Sequence, residues 1–364
     1  MAVGEIAGTA TRARAEPDRP AWLELGPDDR AARFMRLMND LNRGYDNAGD
    51  GKRITCGHAY NGVEPAVAWT SVCRDPRPGA PRQSVESFPR RWAGLGAGMP
   101  AQPCHYVSLG PGDGRKDGVL LADLSRANPD LCYLPVDTSE ELLHLAVCGL
   151  MRRLDLPADR VLSLPWDFSV GENAGALRRL LDELFGPTPV LFSLLGNTLA
   201  HFDDDAALLK RLADVLLRPG DRLLLEVEVT MALDDRLVVD AVAEYENSTA
   251  FGEFVAATLQ ANTDLLVDQD AVEQLGAVEG DRALMVKTAY RNRTGADVRV
   301  TLPNSADVRF APDDTIRLAL SRKYSPEGLA AMLSDAGLTV TGDTCTGTGG
   351  PFGLALLMLA LEDR

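Results

Sequence analysis

The sequence predicts an α/β protein built on a parallel sheet with helices on both faces. Three observations predict it. From Tyr106 onward, short apolar runs alternate with amphipathic helical patterns. The connections between successive runs are short enough for right-handed βαβ units. The first run, His105-Tyr106-Val107-Ser108-Leu109, ends in Gly110-Pro111-Gly112-Asp113-Gly114 and then opens a helix, which brings backbone against a ligand at the carboxyl edge of a sheet.

The strands expected on this pattern are Tyr106 to Leu109, Leu131 to Val136, Arg160 to Leu164, Pro189 to Leu195 and Arg222 to Val229. Helices fall between them near Asp117 to Asn128, Ser139 to Leu154, Gly175 to Phe185 and Asp205 to Leu217. Residues 104–232 form the ligand-binding domain on this reading. Upstream, residues 1–20 read as a flexible arm rich in Ala, Arg, Glu and Pro, and residues 21–103 as a helical and extended cap. The cap holds an amphipathic helix between Trp22 and about Asn47, after the start signal Gly26-Pro27-Asp28-Asp29. It also holds an extended connector from Arg74 to Cys104, punctuated by Pro76, Pro78, Pro81, Pro89, Pro100 and Pro103. Tyr60, Trp69, Phe88 and Trp92 either line a ligand there or fill core.

Downstream, residues 233–320 read as a smaller insertion carrying substrate contacts. Asp235 to Gln260 is helical, and the runs Met285 to Tyr290 and Val298 to Leu302 form a hairpin around Asn292-Arg293-Thr294-Gly295. Residues 321–364 return the chain to the sheet. The helix over Ser325 to Gly337 has a Ser cap, Pro in its first turn and Gly at its end, and strands Leu338 to Thr341 and Phe352 to Leu361 follow.

Composition narrows the partners. The chain has 364 residues with 37 basic against 53 acidic side chains, a formal charge of −16. Binding to a phosphate backbone runs on clustered Lys and Arg, so nucleic acid and anionic membrane are not expected partners and a small molecule is. No run is long and apolar enough for a membrane span and no signal peptide is read, so a cytosolic protein is expected. The six cysteines form no CxxC pair, and Cys56 with His58 lacks further ligands, so reduced thiols and no metal are expected.

The spacing of the glycines then selects the ligand. Gly110, Gly112 and Gly114 make G-x-G-x-G, which departs from the G-x-G-x-x-G of dinucleotide loops. Arg115 and Lys116 put positive charge at the same mouth, which suits a ligand with an anionic end. Asp137 closes the second strand, where a carboxylate accepts from both ribose hydroxyls of an adenosine; Asp137-Thr138-Ser139-Glu140-Glu141 also reads as a helix cap, and both roles are compatible. Asp167-Phe168 stand at the third strand end, where an Asp accepts the adenine amino hydrogen and the ring packs on the base.

This stretch resembles the class I S-adenosylmethionine (SAM) methyltransferases. With Gly110, Lys116, Asp137, Asp167-Phe168, Ser193-Leu194-Leu195-Gly196-Asn197 and Leu320-Ser321-Arg322-Lys323-Tyr324-Ser325, it resembles the histidine-specific family among them, over about Tyr106 to the carboxyl end. The resemblance implies a class I Rossmann-like sheet with a substrate-binding insertion and a helical amino-terminal region, and SAM as cofactor. It implies that Gly110, Gly112, Lys116, Asp137, Asp167 and Phe168 hold the cofactor, and that Asn197 and Tyr245 hold the substrate carboxylate. Ser321, Ala319 and Tyr60 are the further substrate-side positions. Two departures stand out. Class I enzymes usually carry an acidic residue two positions before the first glycine, and here it is Ser108. The family's histidine-binding enzymes carry a Glu two residues before the Ser of the Ser-Arg-Lys-Tyr stretch, and here it is Ala319. A methyl group leaves an imidazole N–H unsatisfied at a cost of about 1–3 kcal/mol, so histidine is not the expected substrate and a less polar, aromatic or indolic side group is.

Methyl transfer from a sulfonium needs alignment and exclusion of water more than catalytic groups. An amine must arrive neutral, however. Glu226 and Glu228 lie on one face of the strand Leu223 to Val229 by its period of two. Glu228 either orients or deprotonates the amine, with Tyr245 as the other catalytic candidate, or else forms a salt bridge to Arg or Lys. The expected function is therefore methylation of an amino acid or amino-acid-derived small molecule at nitrogen. Carbon methylation of an indole or related natural product, and a nicotinamide-dependent oxidoreductase, are the alternatives.

Overall fold

The computed structural model describes residues 11–14, 20–25, 30–43, 51–75, 80–96, 102–347 and 350–362. The chain opens with β1 (Thr11–Arg14) and β2 (Ala21–Leu25), paired antiparallel. Residues 11–14 of the expected arm are thus an edge strand, and the other arm residues up to 19 lie outside the described residues. Then come α1 (Arg30–Leu41), the two-residue β3 (Lys52–Arg53), α2 (Cys56–Ala59), α3 (Val63–Val72) and α4 (Ala80–Gly94). The start signal at residues 26–29 lies outside the described residues.

The expected connector therefore contains a helix. Pro89 sits inside α4 and removes one of its hydrogen bonds. Burial overrides that cost: Phe88 and Trp92 are sealed against Leu120, Leu121, Leu224 and Leu356. These two aromatics are core, whereas Tyr60 and Trp69 line a cavity.

The central layer follows the expected order. β4 (His105–Leu109), α5 (Arg115–Ala127), β5 (Tyr133–Asp137), α6 (Glu140–Met151), β6 (Leu162–Pro165), α7 (Gly171–Phe185), β7 (Val190–Leu194), α8 (Asp205–Arg211) and β8 (Arg222–Thr230) alternate strand and helix. The helix expected to reach Leu217 ends earlier, because Leu212–Leu216 form a π-helical turn. Strands β6-β5-β4-β7-β8 lie side by side in parallel, and β2 adds at the β6 edge through Ala21 and Trp22. The order reverses between β4 and β7, which opens a crevice at the carboxyl ends of those strands.

The region 233–320 is built on α9 (Asp235–Glu246), α10 (Thr249–Asn262), β9 (Val272–Glu279), β10 (Ala283–Arg291), β11 (Val298–Thr301), β12 (Asp307–Phe310) and β13 (Thr315–Tyr324). The single helix expected from Asp235 to Gln260 is two helices, because Ser248 caps α10 by accepting the Phe251 N–H at 3.1 Å. The expected hairpin is also different. β11 pairs with β12, while β10 pairs with β9 on one side and β13 on the other. β10 is buried along most of its length, so it takes two strand neighbours rather than one. Asn292 stabilises the reversal by donating Nδ2–H to the Ala296, Phe310 and Ala311 carbonyls.

The same sheet continues from one half to the other. β13 touches β8 at Tyr324 and Val229, and β3 adds to β13. α11 (Pro326–Asp335) follows with its Ser325 cap, then β14 (Leu338–Gly347) and β15 (Phe352–Leu361), which runs antiparallel beside β8. The order β6-β5-β4-β7-β8-β15-β14 with one antiparallel strand is the class I Rossmann-like sheet.

α11 packs tightly enough to be tested. A Cβ added at Gly328 falls 2.6 Å from the Arg282 Cα and 2.7 Å from its carbonyl oxygen, which are backbone atoms that cannot rotate away. Gly328→Ala is expected to destabilise the protein by about 1–3 kcal/mol, read by urea denaturation.

Candidate active site

The loop between β4 and α5 takes its shape from three left-handed residues, Gly110 (φ 74°), Gly112 (φ 58°) and Gly114 (φ 72°). Gly114 caps α5 where a Cβ would meet Ala146 of α6 at 3.1 Å, so the loop is pressed against that helix. Arg115 does not face the mouth as an unpaired charge: its Nε donates to Asp113 at 2.5 Å and its Nη2 to the Cys73 carbonyl at 2.8 Å. Lys116 does line the cavity, and its Nζ donates to Glu226 and to Ser84.

Three strand ends surround the same cavity. Gly110 to Asp113, Lys116, Asp137, Thr138, Asp167 and Phe168 all line it. Asp137 accepts the Ser139 N–H at 2.9 Å, and Ser139 in turn caps α6 through Leu142, while Asp137 also borders the cavity. Burial raises the Asp137 pKa to about 6. Asp167 accepts from Ser169 at 2.5 Å and from Arg36 of α1 at 3.4 Å, and the Phe168 ring meets Phe202 edge-on at 5.9 Å. Arg33 of the same helix donates to the Thr138 carbonyl at 2.9 Å. The sequence reading missed this roof of two arginines, because nothing local marks which strand ends a helix 100 residues away will cover.

This arrangement fits an adenosine ligand with an amino-acid tail. Left-handed glycines open a close approach, and two buried carboxylates stand at the ends of β5 and β6. Ser108, the departure before the first glycine, is buried among polar groups. The carboxyl beside it comes from α5: Asp117 accepts Tyr106 Oη–H at 2.7 Å and Tyr133 Oη–H at 2.5 Å, and also bonds Ser108. Burial raises the Asp117 pKa to about 6.

Beneath the loop lies Glu226, with no exposure at all. It accepts from Lys116 Nζ, from Arg91 Nη2, from Ser84 Oγ at 2.7 Å and from the Gly196 N–H at 2.6 Å. Burial alone would raise its pKa, but Lys116 and Arg91 outweigh that and hold it below the usual range.

A second, larger cavity of about 750 Å³ adjoins the first. Tyr60, Trp69, Asp167, Gly196, Asn197, His201 and Glu228 line both. One wall is aromatic: Tyr60 meets Trp69 at 5.2 Å and Phe254 at 5.1 Å, while Tyr245 meets Phe251 at 5.0 Å. β-Sheet residues line the cavity too, with Val286 and Thr288 of β10 and Leu318, Ala319, Leu320 and Ser321 of β13. The motif Ser321-Arg322-Lys323-Tyr324 divides by strand periodicity. Arg322 and Tyr324 turn to Asp205 and Glu279; Ser321 and Lys323 turn to the cavity side, where Lys323 donates to Glu228 and to Glu244.

Glu228 is thus in the salt bridge that was one of its two readings. Asn197, in left-handed conformation (φ 62°), accepts the Glu228 N–H at 3.0 Å and turns its Nδ2 hydrogens to Ser321 Oγ and the Arg322 carbonyl. It ties the turn after β7 to β13. Tyr245 bonds Ser321, and burial pushes its hydroxyl pKa up. All six cysteines are free thiols. Among the described residues no three His, Cys, Asp or Glu side chains gather as metal ligands, and His58 bonds Thr55 Oγ1 and the Arg33 carbonyl. No helix among the described residues is long and apolar enough to cross a membrane.

A family model described as histidine-specific methyltransferase, SAM-dependent, matches residues 89–359. The chain belongs to this family. It is a SAM-dependent methyltransferase, which sets aside the oxidoreductase reading. A curated relative, the histidine N-alpha-methyltransferase of Mycolicibacterium smegmatis, is 29% identical over 253 residues, covering 69% of this chain and 74% of the relative. Among solved structures, the CcbJ methyltransferase from Streptomyces caelestis superposes with a TM-score of 0.40 at 14% identity, covering 85% of this chain and 99% of that one. The glycopeptide N-methyltransferase MtfA complexed with sinefungin gives 0.38 at 14% identity, covering 77% and 87%.

Two outcomes follow from the buried charges. Glu226→Gln leaves Lys116 and Arg91 without their carboxylate, and a loss of about 3–5 kcal/mol in chemical denaturation is expected. Asp117 has a folded pKa of about 6, above the unfolded value near 4, so its contribution to stability falls as pH rises through that window. The advantage of the wild type over Asp117→Asn in urea midpoint is expected to shrink between pH 4 and 6 and to stay level above it.

Proposed function

We propose that the protein N-methylates a small amino acid or amino-acid-derived acceptor with an aromatic or otherwise apolar side group, and that histidine is not the acceptor. The observation that carries this reading is Ala319. It lies in the wall of the larger cavity on β13, next to Leu318 and across from Thr288 of β10, and packs against the apolar cluster that holds Phe251 and Phe254, which Tyr60 and Trp69 also border. An imidazole N–H facing that methyl group would lose its partner, whereas an indole or phenyl ring would bury apolar area. The cavity is also roomier than an imidazole needs.

The bound cofactor supplies a methyl group on a sulfonium centre. Asp137 would hold its ribose, Asp167 and Phe168 its adenine, and Lys116 its carboxylate, with Gly110 and Gly112 allowing the close approach. On the acceptor side Tyr245 and Ser321 present hydroxyls that suit a carboxylate. Asn197 sets the position of Ser321, and Tyr60 closes the aromatic wall. Glu228 borders both cavities, so its carboxylate orients an acceptor ammonium toward the methyl group while Lys323 keeps it in place. Alignment of nitrogen, methyl carbon and sulfur in a site shielded from water is the main source of rate.

A mass-spectrometric screen for a gain of one methyl group across L-amino acids and indolic amines tests the reading. Methylation of aromatic amino acids and none of histidine is expected; methylation of histidine alone overturns it. Ala319→Glu is expected to lower kcat/KM for the aromatic acceptor about 5- to 150-fold, the equivalent of 1–3 kcal/mol, and to admit histidine. Glu228→Gln is expected to raise KM for the acceptor more than it raises the dissociation constant for S-adenosylhomocysteine, measured by calorimetry.

A further inference from the structure

His201 closes the 3₁₀ turn Thr198–His201 that follows β7 and the Gly196-Asn197 turn. Its side chain borders both cavities, at the place where cofactor and acceptor would meet. Its Nδ1 lies 2.7 Å from the Leu320 carbonyl oxygen. A carbonyl only accepts, so Nδ1 carries the hydrogen. In the neutral ring Nε2 is then a bare lone pair. Among the described residues Nε2 has no hydrogen-bond partner, and it is not sealed away from the cavity.

The surroundings favour the neutral ring at rest and tolerate the charged one briefly. Burial lowers the His201 pKa, the Leu320 carbonyl and Glu228 of β8 act against that, and Arg322 of β13 acts with it. Lys323 of β13 is paired with Glu228 and Glu244, and Asp205 of α8 with Arg282 and Tyr324. Asp203, next along the chain, is paired with Arg53 and Arg317. Among the other titratable side chains of the cavity, Glu228 and Glu244 are engaged by Lys323, Asp167 accepts from Ser169 and Arg36, and Tyr245 is a phenol whose pKa is pushed up by burial.

We propose that His201 is the general base that neutralises the acceptor amine. The role rests on the N-methylation reading above. The acceptor arrives as an ammonium and gives one proton to His201 Nε2, with Glu228 facing the imidazolium that forms. The freed nitrogen lone pair makes the new N–C bond as the C–S bond breaks, and that electron pair stays on sulfur as the thioether. His201 then returns its proton to solvent. A fixed tautomer makes this possible, since the Leu320 carbonyl holds the proton-bearing nitrogen away from the cavity.

The test compares the wild type with His201→Gln, whose amide can still donate to the Leu320 carbonyl, and with His201→Phe. SAM and a panel of aromatic amino acids, L-tryptophan first, serve as probes. In the glutamine variant kcat at pH 7 is expected to fall by about 10²- to 10⁴-fold, and added imidazole to restore part of it. The acid limb of log kcat/KM against pH is expected to move up toward the pKa of the free acceptor ammonium, with S-adenosylhomocysteine affinity changed less than about threefold. Nitrogen-15 spectra of histidine-labelled protein, assigned by the variants, are expected to show His201 neutral with its hydrogen on Nδ1 at pH 7. An unchanged acid limb, or a His201 ring protonated on both nitrogens at pH 7, overturns the assignment while leaving N-methylation standing. Methylation of no amine by the wild type overturns the N-methylation reading and this role with it.

Discussion

A carboxylate with no solvent exposure, held by a lysine, an arginine, a serine hydroxyl and a backbone N–H, is the constraint on which the site depends. Burying Glu226 would be strongly unfavourable alone, and two cations with two further donors offset that. Those four partners come from three separate segments: Ser84 and Arg91 from α4, Lys116 from the first turn of α5 after the glycine loop, and Gly196 from the turn after β7. One buried charge therefore fixes the relative positions of the amino-terminal helix, the cofactor loop and the turn that carries Asn197 and His201. Two cations against one anion leave this cluster with a net positive charge.

A second ionic network does the same for the other half. Asp205 accepts from Arg282 and Tyr324, and Arg322 bonds Glu279 and the carbonyls of Ala200, Phe202 and Asp203. These contacts seat β13 and β10 against the turn after β7. The strand-like alternation of Ser321-Arg322-Lys323-Tyr324 makes one face of a single strand structural and the other face part of the cavity. The β13 wall of the larger cavity and the carboxyl edge of β4 to β8 are held in register because β13 pairs with β8 in one sheet.

Much of this was legible locally. Alternating apolar runs and helical patterns placed β4 through β8 within a few residues, since a strand buried on both faces must be apolar throughout. Ser325, Pro326 and Gly337 marked α11 through cap and turn chemistry that depends on neighbours alone. The errors came where distant burial overrode local signals. Pro89 argued against a helix that Phe88 and Trp92 stabilise, and the Asn292 to Gly295 turn reversed the chain without deciding which strands would pair.

By itself, then, the sequence determined the sheet order's raw material, the glycine loop, and the carboxylates Asp137 and Asp167 at two strand ends, because spacing along a strand or helix is a local property. It also determined, through Ala319, what one wall would lack. Only the tertiary structure decided how Lys116 is held, that Asn197 acts as a strut, that Asp117 brings a carboxyl beside Ser108, and that the amino-terminal helices share the site. Most of those outcomes depend on groups brought together from separate elements, Lys116 with Glu226 and Asn197 with Ser321 across more than 100 residues. Such pairings are selected by the need to satisfy every buried charge at once, and no window of the chain contains that condition.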